Sequence, residues 1–530
     1  MITRLWEAAP RRRTPTKQTA SPPWTDTATQ RSKPVLIGPW PPHPAAPTRT
    51  WLAALLTAFL ANATPDAVCS AEAPPAASPE PGTVRVCPKD DGYRGIWYSN
   101  QPQNDQYVYK YSGGLGTYCA KHRPFAVYAA KVQKTFFCYG GRPKDKNELL
   151  HMVSYYDHRT GLVPRPSILL NKRTSDAHDN PVIALDERGH IWIFSSSHGT
   201  ARPSYISVSG KPYSIEAFRR VYVGNFSYPQ PHWIPGHGFL FLHTRYKQGR
   251  RLFLMASADG ISWSRPRMLA HVQLGHYQIS GRCGTKVGTA FNFHPSPQGL
   301  NWRTNLYYLE TDDLGRTWKT ASGQPVPTPL TSLDTPALVH DFRSEGLNVY
   351  LKDLAFDAAG RPIILFLTSK GWQSGPQNDP RTWRTARWTG HRWEILGSIT
   401  SDNNYDTGSL YVESGSSWRI IGPTEPGPQP YNTGGEVAMW ISTDQGHSWQ
   451  MAEQLTRNSS LNHTYCRRPV NAHPDFYCFW ADGHGRRPSQ SRLYFASKEG
   501  TVRRLPPEME SDLATPPVLS AEDPRAIVPQ

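Results

Sequence analysis

The 530-residue chain has no long stretch with apolar residues at helical spacing, which excludes a mainly helical architecture. It has no C-x-x-C pair, and its seven cysteines (69, 87, 119, 138, 283, 466 and 478) lack the spacing of a zinc cluster. Cys119/Cys138 and Cys466/Cys478 each lie on adjoining strand-like segments, placed either to form disulfides or to stay as buried thiols. No metal-ligating set and no cofactor motif stands out, and a structural cation is left open. No Lys/Arg block or nucleic-acid module follows residue 90, so the formal net charge of +16 does not point to nucleic acid. The longest apolar run, residues 51–60, is too short to cross a bilayer as a helix.

That run follows Arg49 and precedes small residues, so residues 51–73 read as a secretory signal, with an uncleaved signal-anchor as the rival. The expected location is therefore secreted or periplasmic, with no stable membrane contact after cleavage and an oligomeric state left open. Residues 1–50 carry eight basic and two acidic side chains, are rich in Pro, Arg and Thr, and have no periodicity. They read as a disordered basic extension or a start codon taken too far upstream. Residues 74–90 read as a Pro/Ala linker, 91–505 as the folded domain and 506–530 as a Pro-rich tail.

What is abundant is turn chemistry and aromatics: 41 Gly, 50 Pro and 18 Trp, with short strand-like runs between turns. Thr311-Asp-Asp-Leu-Gly-Arg-Thr-Trp318 and Ser442-Thr-Asp-Gln-Gly-His-Ser-Trp449 share the pattern [ST]-x-D-x-G-x-[ST]-W. This resembles the Asp-box hairpin of sialidase-type propeller blades, in which Asp caps turn N–H groups, Gly takes positive φ and Trp packs between blades. Weaker turns at Asp157, Ser209, Asp259, Gly390 and Glu499 extend the series at steps of 50–55 residues, with one step of 77. Seven turns predict an all-β, seven-bladed propeller with an insertion near the fifth blade; six blades is the alternative. Leu185-Asp-Glu-Arg-Gly189 and Phe356-Asp-Ala-Ala-Gly360 are expected as inner hairpins of blades two and five.

Several blocks are too polar for blade framework: those around His178–Asn180, His198, Tyr228, Arg245–Tyr246, His276, Lys352, Asn404 and Arg467–Arg468. Strand ends from all blades of a propeller converge on one mouth of the central channel, so such loops can form one site. A basic exported propeller suits an acidic glycan.

Three segments, Asp91-Gly-Tyr-Arg-Gly-Ile-Trp97, Tyr109 to Pro124 and Lys134 to Gly141, together with His178-Asp-Asn-Pro181, Ser195-Ser-Ser-His198, Ser401-Asp-Asn-Asn404 and Arg467 to His473, resemble the BNR-4 (bacterial neuraminidase repeat-like) family over about residues 91–500. That resemblance implies a seven-bladed propeller acting on uronate-containing polysaccharide. The family includes ulvan lyases and enzymes on rhamnosyl-glucuronate caps, some lyases and some α-L-rhamnosidases. By resemblance to the lyases, His178 and His198 form a histidine pair, with Tyr228 and Arg245 completing the catalytic set. Arg245 is expected to neutralise the uronate carboxylate, with the two histidines and Tyr228 as base and acid candidates. Asn180, Tyr246, His276, Lys352, Asn404, Arg467 and Arg468 are expected to bind substrate. By resemblance to the rhamnosidase branch, His122 would instead be the catalytic residue of a hydrolase on the opposite face. The activity expected first is β-elimination at a rhamnose–glucuronate linkage; α-L-rhamnoside hydrolysis and a non-catalytic glycan-binding propeller are the alternatives.

Overall fold

The computed structural model describes residues 82–246 and 248–519. The extension at 1–50, the signal at 51–73, Cys69, the first part of the linker and residues 520–530 lie outside the described residues. No helix among the described residues is long and apolar enough to cross a membrane.

Seven antiparallel four-stranded sheets follow one another along the chain, spanning residues 126–171, 181–224, 227–270, 278–340, 348–401, 409–454 and 462–504. They are blades 1 to 7 of a propeller, so the six-bladed alternative is excluded. The strand sequences explain the choice. Runs such as Pro362–Ser369 (PIILFLTS) are buried on both faces, because each blade is covered by a neighbour on either side. Blade-to-blade packing is carried by aromatics and branched aliphatics: Phe194 and Val182 of blade 2 share a cluster with Phe239 and Phe241 of blade 3.

All seven predicted turns join the third and fourth strands of their blades. In the turn of blade 4, the Asp313 carboxylate accepts the Thr317 N–H at 3.0 Å, and Thr311 Oγ1 accepts the Gly315 N–H at 3.0 Å. Gly315 has φ +76°. The Trp318 ring is 2% exposed and packs with Leu240 and Leu254 of blade 3 and Leu309 of its own blade. The turns at Asp186 and Asp357 join first and second strands of blades 2 and 5, as expected. The insertion lies earlier than predicted: residues 312–337 of blade 4 separate Thr304–Thr311 from Leu338–His340.

Both flanks contribute more than linker and tail. Arg85–Val86 adds a fifth strand to blade 2, and Leu513–Ala514 pairs with Val163–Pro164 beside blade 1. An N-terminal hairpin, Trp97–Pro102 with Tyr109–Gly114, lies outside the seven blades. All described cysteines are free thiols, so of the two alternatives for Cys119/Cys138 and Cys466/Cys478 the structure has the thiols.

The connections fall on two faces. First-to-second and third-to-fourth hairpins lie at one end of the strands. Blade-to-blade connections and second-to-third loops lie at the other, and the polar blocks cluster there.

Candidate active site

The site grows from a short turn between blades 1 and 2. Asp176 caps the helical turn Ala177–Asp179, its carboxylate accepting the His178 N–H at 3.0 Å. The same carboxylate reaches both histidines, at 2.6 Å from His178 Nδ1 and 2.8 Å from His198 Nδ1. His198 stands on the second-to-third loop of blade 2. The Ser196 hydroxyl in that loop lies 2.9 and 3.0 Å from the carbonyls of His178 and Asn180. The His198 N–H donates to the buried Asp179 carboxylate at 2.6 Å. The imidazoles of His178 and His198 consequently stack, centroids 3.9 Å apart at 16°.

The two rings have different surroundings. His178 is 4% exposed, and its Nε2 lies 2.7 Å from Tyr118 Oη and 2.9 Å from Tyr111 Oη. Burial pushes both phenols well above their ordinary range, so they stay protonated; Tyr118 Oη donates to Tyr111 Oη at 3.2 Å, which leaves the Tyr111 O–H to donate to Nε2. That assigns His178 the Nδ1–H tautomer, with Nδ1–H on Asp176. Burial also lowers His178, which keeps it neutral. His198 has a side chain 24% exposed, and its Nε2 has no protein partner among the described residues. Burial would raise Asp176, but the His178 and His198 contacts hold it well below the usual carboxylate range.

Tyr228 enters from blade 3. Its φ is +52°, in the left-handed region that bulky residues avoid, at a bulge between Ser227 and Gln230. The bulge turns the ring inward, 5.6 Å from His122 and 6.2 Å from His178. Tyr246 Oη donates to Tyr228 Oη at 3.2 Å. Burial, with the nearby Tyr246 and Tyr277, pushes the Tyr228 phenol well up, so it remains an O–H donor. Tyr465 on blade 7 has the same backbone feature, φ +51°, and lines the same funnel.

The funnel is lined by five basic side chains, Lys110, Lys121, Arg250, Arg303 and Lys352, and by no carboxylate. Three surround one ring: Arg303, Lys121 and Arg250 lie 4.8, 5.2 and 5.6 Å from the Tyr277 centroid. Burial opposes charge on Arg250 and Arg303, yet the surrounding tyrosines hold both above the ordinary range, so they stay charged. Burial lowers Lys121 to about 7. It lowers Lys110 to about 6, with Arg303 and Arg250 adding to the effect. Lys352 is pushed well down by burial, and its Nζ donates to the Asn404 carbonyl at 2.7 Å.

Of the residues singled out from sequence, His178, His198, Tyr228, Lys352 and Asn404 line this funnel, and Tyr246 lies beside it. The others do not. Arg245 is on the wrong face of its strand: Tyr246 pairs with Arg250 and Arg245 with Arg251, and side chains alternate. The Arg245 guanidinium lies over Phe253, so the cation that blade 3 supplies is Arg250. His276 is fully buried, its Nε2 accepting the Val272 N–H and its Nδ1 donating to the Asn292 carbonyl, and it serves the framework. Asn180 is fully buried and donates to the carbonyls of Leu115 and Tyr118, tying down the segment that carries Tyr118. Arg467 bonds the His122 carbonyl from within blade 7, whereas Arg468 opens onto the opposite mouth beside Asp353.

His122 lines neither mouth. It is fully buried, with Nδ1 3.1 Å from Cys119 Sγ and Nε2 3.0 Å from Ser196 Oγ, directly beneath His178. The expectation set His122 on the opposite face as the catalytic residue of a hydrolase; the structure places it inside, between the two mouths. Sequence reasoning missed Asp176, Lys110, Tyr111, Tyr118, Lys121, Arg250, Tyr277 and Arg303. The Asp-x-His spacing of 176–178 was a legible capping signal for the first of these.

Asp176, His178 and His198 could also present ligand atoms to a cation. The two Nδ1 atoms it would need are those already bonded to the carboxylate.

Comparison with known proteins agrees with the fold. The chain is 21% identical over 457 residues to an ulvan lyase of Nonlabens ulvanivorans, an alignment covering 78% of this chain and 93% of that protein. A solved polysaccharide lyase of the PL25 ulvan lyase type superposes with a TM-score of 0.61 at 16% identity, covering 77% of this chain and 96% of its own. A second, bound to GlcA(1-4)Rha3S, superposes at 0.60 with the same identity and coverage. At that identity the structures establish the shared fold. The family model described as BNR repeat-containing family member matches residues 150–397, from the third strand of blade 1 into the fourth strand of blade 5.

Proposed function

We propose that the protein is a polysaccharide lyase that cleaves an acidic, uronate-containing polysaccharide at a rhamnose–glucuronate linkage by β-elimination, outside the cytoplasm. The observation that carries the reading is the composition of the funnel: a carboxylate-oriented histidine pair, a protonated tyrosine and five basic side chains, with no carboxylate lining it. Hydrolysis by the usual glycosidase route uses two carboxylates flanking the bond, and this funnel does not offer them. The likeness to an ulvan lyase along most of both chains supports the same reading.

The chemistry follows from the geometry. Arg250, with Arg303 and Lys121 around Tyr277, binds and neutralises the uronate carboxylate, which makes the C5 proton more acidic. His198 Nε2, open to the funnel and oriented through Nδ1–H on Asp176, takes that proton. The C5–H electron pair forms the C4=C5 double bond, the C4–O4 bond breaks, and Tyr228 protonates the departing oxygen. His178, enclosed by Tyr111, Tyr118 and Asp176, positions this set.

The test is a time course on ulvan and on gum arabic, read for ultraviolet absorbance and for free sugar. Elimination gives an unsaturated uronate that absorbs. Free rhamnose without that chromophore would overturn the proposal in favour of hydrolysis. Binding without either product would identify a lectin-like propeller.

A further inference from the structure

The four strands of each blade are contiguous in sequence, so among the described residues no strand from the far end of the chain completes the sheet of blade 1. The seam between blades 7 and 1 closes by packing, with Phe137 5.6 Å from Phe476 and 5.2 Å from Phe479, and by a parallel bridge between Val127 and Val470. On the hairpin face of this seam three side chains converge. His158 follows the third strand of blade 1, and His473 and Asp475 lie in the connection between the first two strands of blade 7. The imidazole centroids are 3.8 Å apart. His158 Nδ1 and His473 Nδ1 lie 3.8 and 3.7 Å from the same Asp475 oxygen, Oδ2.

His158 is the informative member. Its side chain is 4% exposed, and the rings of Tyr128 and Tyr156 hold it edge-on at 5.2 and 5.0 Å. Nε2 is satisfied by Thr135 Oγ1 at 2.8 Å, but Nδ1 is buried without a hydrogen-bond partner and is aimed at Asp475. Native interiors rarely leave such a nitrogen unmatched, and a bound ion is one of the usual reasons.

The geometry points to a divalent cation site of the zinc class that clasps blade 7 to blade 1, with His158, His473 and Asp475 as its protein ligands and water completing the shell. Two imidazoles and one carboxylate suit zinc, whose bonds of about 2.0–2.2 Å put tetrahedral ligands about 3.4 Å apart. The three ligand atoms already lie within 4.8 Å of one another, and the two nitrogen–oxygen separations need to close by only a few tenths of an ångström. Thr135 then serves as the outer partner that orients His158, as such groups do around metal-bound histidines. His473 Nδ1 also accepts the Asp475 N–H at 3.2 Å, a long contact that the cation would replace. The site lies on the face opposite the funnel, so it stands whether or not the lyase reading does. Because it forms only when the ring is closed, an ion bound there stabilises the closed propeller by mass action.

The full chain, stripped with chelator, is titrated with zinc chloride as wild type, His473→Ala and Asp475→Asn; both positions are partly exposed, so neither change empties the core. After desalting, wild type is expected to retain one more zinc per chain than either variant. It should also show a zinc-dependent rise in Tm of at least about 2 °C that the variants lack. Equal zinc content and equal shifts in all three proteins would overturn the proposal. That comparison also cancels any zinc held at Asp176, His178 and His198, which all three share.

Discussion

Arg245 and Arg250 illustrate how one strand pair separates a site residue from a framework residue. Tyr246 and Arg250 form a register pair on the funnel side, and Arg245 and Arg251 form the next pair on the other side. Arg250→Ala is therefore expected to lower kcat/KM for polysaccharide by roughly 10²–10³-fold, the usual cost of removing one donor to a developing anion. Arg245→Ala should stay within about threefold. Steady-state kinetics on the two variants decides between them, and the reverse ranking would sink the assignment of Arg250. The buried lysines set a pH dependence. Lys121 at about 7 and Lys110 at about 6 lose charge as the pH rises through those values in the free protein. A bound polyanion favours the charged forms, so binding takes up protons above that range and weakens as pH rises. KM is expected to climb between about pH 7 and pH 9, by up to tenfold per unit for each lysine that must protonate. Lys121→Arg should flatten the climb; an unchanged profile in that variant would remove Lys121 from substrate binding.

At the scale of elements, the turn between the third and fourth strands does two jobs. Its Asp and Thr close the hairpin, and its Trp fills the space between blades. Trp318→Ala, at 2% exposure between blades 3 and 4, is expected to cost about 3–5 kcal/mol. Asp313→Ala, which removes the acceptor of the Thr317 N–H, should cost about 1–2 kcal/mol. Equilibrium denaturation of the two variants checks the order, and an equal loss would mean that the box acts as one unit. These turns were legible because each is made by residues a few positions apart. The hairpin of Trp97–Pro102 with Tyr109–Gly114 was not. It carries Lys110 and Tyr111 into the funnel, but nothing local in its sequence says which blades it will lie across.

For the whole molecule, the charge balance and the funnel agree. A chain of formal net charge +16 places five basic side chains at one mouth. Attraction of a polyanion to that mouth is screened by salt, whose screening length falls from about 10 Å at 0.1 M to about 3 Å at 1 M. KM is expected to rise several-fold over that range with kcat little changed. A salt-insensitive KM would argue that the cations serve the fold alone.

What the sequence determined by itself is what depends on near neighbours along the chain: the blade count from seven turns, the two inner hairpins, and the loops that supply His178, His198 and Tyr228. What only the tertiary structure decided is which side chains share a volume. Asp176 joins two histidines twenty residues apart, Arg250 replaces Arg245 through strand alternation, His122 and His276 turn inward, and Arg468 opens on the far mouth. The reason is physical. Turn chemistry and strand period are set within a few residues, whereas a funnel is enclosed by strands and loops of blades 2, 3, 4, 5 and 7, the connections between blades and an N-terminal hairpin, whose meeting point is fixed by ring closure.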